Sequence, residues 1–142
     1  MKSPGELTQL FREQGLKVTP QRQCIFRALD GNLEHPSAEA IYDRVTAEMP
    51  TVSLRTIYQT LNDLAAMAEI SQIDLGTGSA RFDPNLDDHQ HLVCDGCGTV
   101  VDVPGDFADV RVPHGHAQGF AVSRTEIVFR GLCPDCRATA TG

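Results

Sequence analysis

The chain has 142 residues, 41% apolar and 22% charged, with a formal net charge of −7. These values place it with soluble globular chains of one ordinary domain, or two small ones sharing a core or a metal. No run approaches the roughly eighteen apolar residues of a membrane span, and the N-terminal MKSPGELTQL has no apolar signal core. A cytoplasmic protein with no membrane partner is therefore expected. The acidic balance argues weakly against nucleic acid, but its distribution qualifies this. Arg12, Lys17, Arg22 and Arg27 face only Glu13 between positions 12 and 27. The balance predicts a weak non-specific hold on DNA at physiological salt, not an inability to bind.

In chain order, Ser3 with Glu6 has the form of a capping box and opens a short helix through Leu7, Leu10 and Phe11 that stops near Gly15. Thr19-Pro20 starts a second helix, burying Cys24, Ile25, Ala28 and Leu29. Ser37 caps a third, with Ala38, Ile41, Tyr42 and Val45 on its apolar face, and Met49-Pro50 ends it. Ser53 caps a fourth, in which Leu54, Ile57, Tyr58, Leu61, Leu64, Ala65 and Ala68 follow the spacing of a face packed on a core. Its other face presents Arg55, Thr56, Gln59 and Asn62. Residues 70–75 alternate at period two, a turn follows at 76–79, and 80–82 complete a β-hairpin.

Helices followed by a two-stranded wing predict a winged helix over residues 1–84, whose last helix enters the DNA major groove. A small helical domain with a solvated polar face fits the same pattern. Residues 85–142 read as a small α/β unit, so the expected class is α+β. Strands are expected at 91–94, 99–103, 120–122 and 127–129. Pro113 allows only a short helix between 104 and 119, and 138–142 read as a frayed tail. Such a unit is marginal alone and calls for a metal staple or a partner chain.

Two unlike ligand sets follow. Cys94, Cys97, Cys133 and Cys136 form C-x2-C-x35-C-x2-C, the pattern of a closed four-thiolate zinc site. The spacer exceeds that of a simple zinc ribbon, so a sheet must bring the two pairs together. A thiol–disulfide switch is the rival reading, disfavoured because closed zinc thiolates are comparatively protected from oxidation. Cys24, on an apolar helix face, reads as core. The harder set is His89-x-His91, with Asp83 upstream, Asp102 in the next strand and His35 before the third helix. Three nitrogens and two oxygens suit Fe2+ or Mn2+ with an open position. Spacing alone leaves His35 open to a capping role and Asp102 to a strand-edge charge.

The motifs KVTPQR (17–22), HPSAEAIY (35–42), SLRTIY (53–58) with Leu61, SARFD (79–83), DHQHLVCDGC (88–97) and GLCPDC (131–136) span nearly the whole length. On them the chain resembles the ferric uptake regulator family of metal-dependent repressors. The resemblance implies a winged helix, a C-terminal dimerisation domain and a homodimer that binds palindromic double-stranded operator DNA when metal-loaded. It implies structural zinc on Cys94, Cys97, Cys133 and Cys136, and regulatory iron or manganese on His35, Asp83, His89, His91 and Asp102. Arg55, Thr56, Tyr58 and Gln59 are candidates for DNA contact. Arg22 is assigned to phosphate, as are Ser53 and Tyr58.

Aspartates at both carboxylate positions, Asp83 and Asp102, resemble the peroxide-sensing branch. That likeness implies oxidation of His35 or His89, then metal loss and DNA release. The family's additional metal site looks degraded: Gln90 stands where a carboxylate is wanted and Thr125 where histidine is common. His114 and His116 are candidate substitutes, or solvated loop residues. A metal-availability repressor without peroxide chemistry is the alternative within the class. A mononuclear iron oxygenase is disfavoured, because the chain has no H-x-D pair. A zinc-ribbon interaction module would leave His35, Asp83 and Asp102 unexplained.

Overall fold

The computed structural model describes residues 1–76 and 78–140, and the chain divides into a unit Met1–Leu86 and a second unit from Asp87 on. Thr77, within the expected turn, and residues 141–142 of the expected tail lie outside the described residues.

In the first unit, helices α1 (Pro4–Glu13), α2 (Pro20–Leu29), α3 (Ala38–Glu48) and α4 (Leu54–Ala66) each begin at an oxygen-bearing cap: Ser3, Thr19, Ser37 and Ser53. Each cap oxygen accepts a first-turn N–H that has no helical partner of its own. At Ser3 the Glu6 side chain also reaches back to the cap N–H, completing the capping box.

The helix ends show how much the chain depends on left-handed residues. After α1, Gly15 at φ +73 lets Leu16 N–H reach the Phe11 carbonyl and Gly15 N–H reach that of Arg12. After α4, Ala68 takes the same role at φ +56, with Glu69 N–H on Leu64 and Ala68 N–H on Ala65. Both are Schellman closures, the second made by a residue whose Cβ opposes that conformation.

Leu7, Phe11, Ile25, Phe26, Leu29, Ile41, Val45, Ile57, Leu61, Leu64 and Phe82 form one buried core, with Phe11 edge-on to Phe26. The buried face of α4 is narrower than its sequence suggests. Ile57, Thr60, Leu61 and Leu64 point inward, whereas Leu54, Tyr58 and Ala68 are exposed. Thr60 tolerates burial because its hydroxyl donates to the Thr56 carbonyl. Strands β1 (Ser71–Ile73) and β2 (Arg81–Asp83) pair antiparallel as the wing. Strand β2 also joins the loop before α3, through Phe82 N–H on the Pro36 carbonyl and a bridge between Arg81 and Ser37.

The second unit is a three-stranded sheet in the order β4-β3-β5, made by β3 (His89–Cys94), β4 (Val100–Pro104) and β5 (Val128–Gly131), followed by α5 (Pro134–Ala140). Strand β4 is antiparallel to β3, and β5 runs parallel to it. Two expectations are corrected. Residues 120–122 are not a strand: among the described residues they pair with no strand of the sheet, and Phe120 is 78% exposed. Residues 138–140 are not a frayed tail but belong to α5, which opens at Pro134, a residue suited to the first turn of a helix. Among the described residues no helix lies between β4 and β5, within the limit that Pro113 sets. No helix among the described residues is long and apolar enough to cross a membrane.

Candidate metal centres

The parallel β3–β5 register sets Cys94 opposite Gly131, so the chain leaving β5 delivers Cys133 and Cys136 beside the first pair. All four sulfurs lie within 4.8 Å of one another, and Cys97 Sγ is 3.8 Å from Cys133 Sγ. A tetrahedral ion with metal–sulfur bonds of about 2.3 Å has sulfur–sulfur edges of about 3.8 Å.

The surroundings prepare thiolates. Backbone N–H groups of Cys133 and Gly96 donate to Cys94 Sγ at 3.2 and 3.3 Å. The amide of Cys133 leads, with those of Cys97 and Gly96, in lowering the Cys94 thiol to about 6. The Thr99 hydroxyl, 3.0 Å away, lowers Cys97. Cys136 is pushed up to about 12 by its contacts with Cys133, Cys94 and Cys97. Four crowded thiols cannot all ionise without a cation among them, and a divalent ion reverses that logic. Gly96 is required by the crowding: a Cβ there would sit 2.8 Å from Cys136 Sγ. The group fits a zinc site.

The imidazole and carboxylate ligands form two sets, one in each unit. In the first unit His35 and Asp83 are 1% and 2% exposed, with His35 Nε2 3.3 Å from Asp83 Oδ2. The other oxygen of Asp83 accepts the Asn85 N–H at 2.9 Å, a turn that Asp83-Pro84-Asn85 favours. In the second unit His89 and His91 share a strand face, and His91 pairs across the ladder with Asp102. Asp102 Oδ1 lies 3.2 Å from His89 Nε2 and 3.8 Å from His91 Nε2, and the two Nε2 atoms are 3.1 Å apart. His89 Nδ1 contacts the Asp87 carbonyl, which selects the tautomer whose Nε2 carries the lone pair. Each set has the donors that iron, manganese or zinc accept.

The other predicted residues fall as follows. Arg55, Tyr58, Gln59 and Asn62 are exposed on α4. Ser53 Oγ accepts from Thr56 N–H and lies 3.0 Å from Thr56 Oγ1. The Tyr58 hydroxyl donates to Glu39 Oε1 at 2.7 Å. Arg22 is engaged within its unit: Nη2 donates to Asp63 Oδ2 at 3.0 Å, Nη1 to the Lys17 carbonyl, and the guanidinium lies over the Phe11 ring. Cys24 is buried, its thiol donating to Glu48 Oε2. Gln90 serves the sheet, accepting the Ile127 N–H at 2.7 Å. His114 and His116 are exposed and belong to none of these ligand sets.

Sequence reasoning missed three supporting groups: the Arg81 guanidinium, which donates to the His35 carbonyl; the Asp87 carbonyl, against His89 Nδ1; and the Thr99 hydroxyl, against Cys97 Sγ. Only the Asp-Pro-Asn turn had a legible signal.

A winged helix followed by a sheet bearing a four-thiol group defines a winged-helix protein built to hold metal. Residues 13–129 match the profile of the ferric uptake regulator family. The chain is 32% identical over 133 residues to the peroxide operon regulator of Bacillus subtilis, covering 92% of this chain and 91% of that one. Among solved structures, the peroxide-sensing regulator PerR of Streptococcus pyogenes aligns with TM-score 0.55 at 28% identity, over 96% and 94% of the two chains. The ferric uptake regulator of Pseudomonas aeruginosa with manganese aligns with TM-score 0.65 at 26% identity, over 94% and 99%. The chain belongs to the ferric uptake regulator family. It is a transcriptional regulator and not an enzyme.

Proposed function

We propose that the protein is a peroxide-responsive repressor that binds double-stranded operator DNA as a homodimer in the cytoplasm. Residues 1–84 form the DNA-binding domain and 85–142 the domain for dimerisation and metal. Zinc on Cys94, Cys97, Cys133 and Cys136 holds the second domain together. One Fe2+ or Mn2+ ion draws on both hard sets: His35 and Asp83 from the first domain, and His89, His91 and Asp102 from the second. The observation that carries the reading is that division. Each unit offers imidazole and carboxylate oxygen, and the all-thiol group is a separate set within the second unit, so an ion drawing on both hard sets would couple its occupancy to the angle between domains. The coupling is limited to the ion's differential affinity for the two arrangements.

Iron held by these residues would supply the activation of peroxide. His35 and His89 are the rings that would take up oxygen, one peroxide oxygen entering the ring and the other leaving as water, and an oxidised ring would no longer hold its place in the set. The domains are then released from the DNA-competent arrangement, which is stoichiometric sensing without turnover. On the DNA side, Arg55, Thr56 and Gln59 read the major groove from α4, with Ser53 and Tyr58 near phosphate. Arg22 steadies that helix through Asp63. Two recognition helices about one turn of DNA apart require a dimer, and the exposed cross-strand row Leu92, Val101 and Phe129 supports pairing through the second domain.

The test is anaerobic loading with Fe2+ or Mn2+, then operator binding before and after a low dose of peroxide. The reading expects only the iron form to release DNA, with one added oxygen on the peptides of His35 or His89. The second reading, a metal-availability repressor, draws on the likeness to the manganese-bound Pseudomonas aeruginosa regulator. It requires both forms to hold DNA through peroxide and to let go only with a chelator.

A further inference from the structure

We propose that Arg81 is a positioning residue for the regulatory metal, setting its affinity without touching it. The inference rests on the reading of His35 and Asp83 as ligands.

These two residues are far apart in sequence and come from different elements, a loop and a wing strand. Three contacts tie the His35 loop to β2. Phe82 N–H donates to the Pro36 carbonyl at 2.9 Å, Ser37 and Arg81 form a backbone bridge, and Arg81 Nη1 donates to the His35 carbonyl at 2.8 Å. Phe82, 2% exposed, anchors that strand in the core. Asp83 is the next residue, so one strand carries both the bracket and the second ligand.

The bracket is needed because His35 has φ +51, a left-handed conformation that L residues with a Cβ resist. Such a residue persists only when its surroundings over-determine it. The backbone bonds act on Pro36 and Ser37, after the strained residue. Arg81 is the side chain in this bracket that grips the His35 peptide itself. The guanidinium presents its donors in a rigid plane, so it fixes the direction of the carbonyl as well as its distance. Without it, rotation of His35 back toward negative φ carries the ring away from Asp83. Arg81 therefore acts on the main chain of His35, where the Asp87 carbonyl acts on the ring of His89.

The test compares wild type with Arg81→Met, which keeps the aliphatic stem, and Arg81→Lys, in full-length protein with zinc in the cysteine site. Arg81→Gln carries the same expectation as Arg81→Met and replaces it if that variant does not fold. Mn2+ affinity is measured by competition with a chelating dye, and the visible spectrum of Co2+ in the regulatory site is recorded at saturation. Loss of an orienting partner costs about 10–100-fold in metal affinity. Arg81→Met is expected to fall by that factor and to change the Co2+ bands with zinc content unchanged, and Arg81→Lys to recover part of the loss. Mn2+ affinity within about twofold of wild type overturns the proposal. A lowered melting temperature with the wild-type Co2+ spectrum and affinity also overturns it, leaving a merely structural arginine. His35→Ala separates the two levels. If it binds Mn2+ like wild type, the ligand reading falls; if it does not and Arg81→Met does, only the role of Arg81 falls.

Discussion

The first unit closes over a continuous apolar core from Leu7 to Phe82, fed by all four of its helices and its wing. In the second unit, among the described residues, only Val93, Cys94 and Val100 are buried apolar side chains, while Leu92, Val101, Phe120 and Phe129 are exposed. One half of the chain is held by the hydrophobic effect, and the other, on the proposed function, by the ion its four sulfurs would hold. The difference teaches where each half is vulnerable. A core with many contributors loses a fraction of its stability to any one change, whereas a metal-held unit fails as a whole.

The largest expected effect comes from removing the ion proposed at the cysteine group, by chelation or by Cys133→Ala. Structural zinc in small domains contributes on the order of 10 kcal/mol. Amide exchange should become fast throughout β3, β4 and β5 and stay slow in α1 to α4; persistent protection of β3 would refute the division. Gly96→Ala acts in the same direction, because its Cβ meets Cys136 Sγ, and should appear as lost zinc content. A core change in the first unit is smaller. Leu61→Ala should cost about 2–5 kcal/mol, read as a fall in the unfolding midpoint with zinc retained.

Smaller again is an acid effect at the base of the first unit. Burial raises the Glu69 carboxyl, but the hydrogen bonds and charge of Lys2 outweigh it and hold the group below its ordinary 4.5. A carboxylate whose folded value is depressed stabilises the fold above its unfolded value and loses that contribution as pH falls through the folded one. Stability should decline below about pH 4.5, and Glu69→Gln should flatten that part of the profile. An unchanged profile in the Gln variant would remove Glu69 from the account. The smallest effect is a gain: Ala68→Gly relieves the left-handed closure of α4 and should raise stability by about 0.5–1 kcal/mol in thermal unfolding.

Legibility followed the same divide. The four helices were readable because caps at Ser3, Thr19, Ser37 and Ser53 and the apolar spacing are local signals. The wing alternated clearly enough to be seen. Strand 120–122 and α5 were misjudged because a short apolar run becomes a strand only where another strand pairs with it, and Pro134 fits a turn as well as a helix start. The four cysteines announced one site by spacing alone. The hard ligands did not: His35 and Asp102 had other local readings, and their neighbours Arg81 and Asp87 carry no motif.

The helical half and the wing are written in the sequence, since they depend on periods and caps a few residues long, and so are the kinds of candidate ligand. Which of those candidates meet depends on the tertiary fold. The parallel β3–β5 pairing joins the two cysteine pairs, the β3–β4 register sets Asp102 against His91, and β2 clamps the loop that holds His35 in its left-handed turn. Each of those is a non-local pairing, whose register depends on the buried face of a sheet and not on the residues being paired.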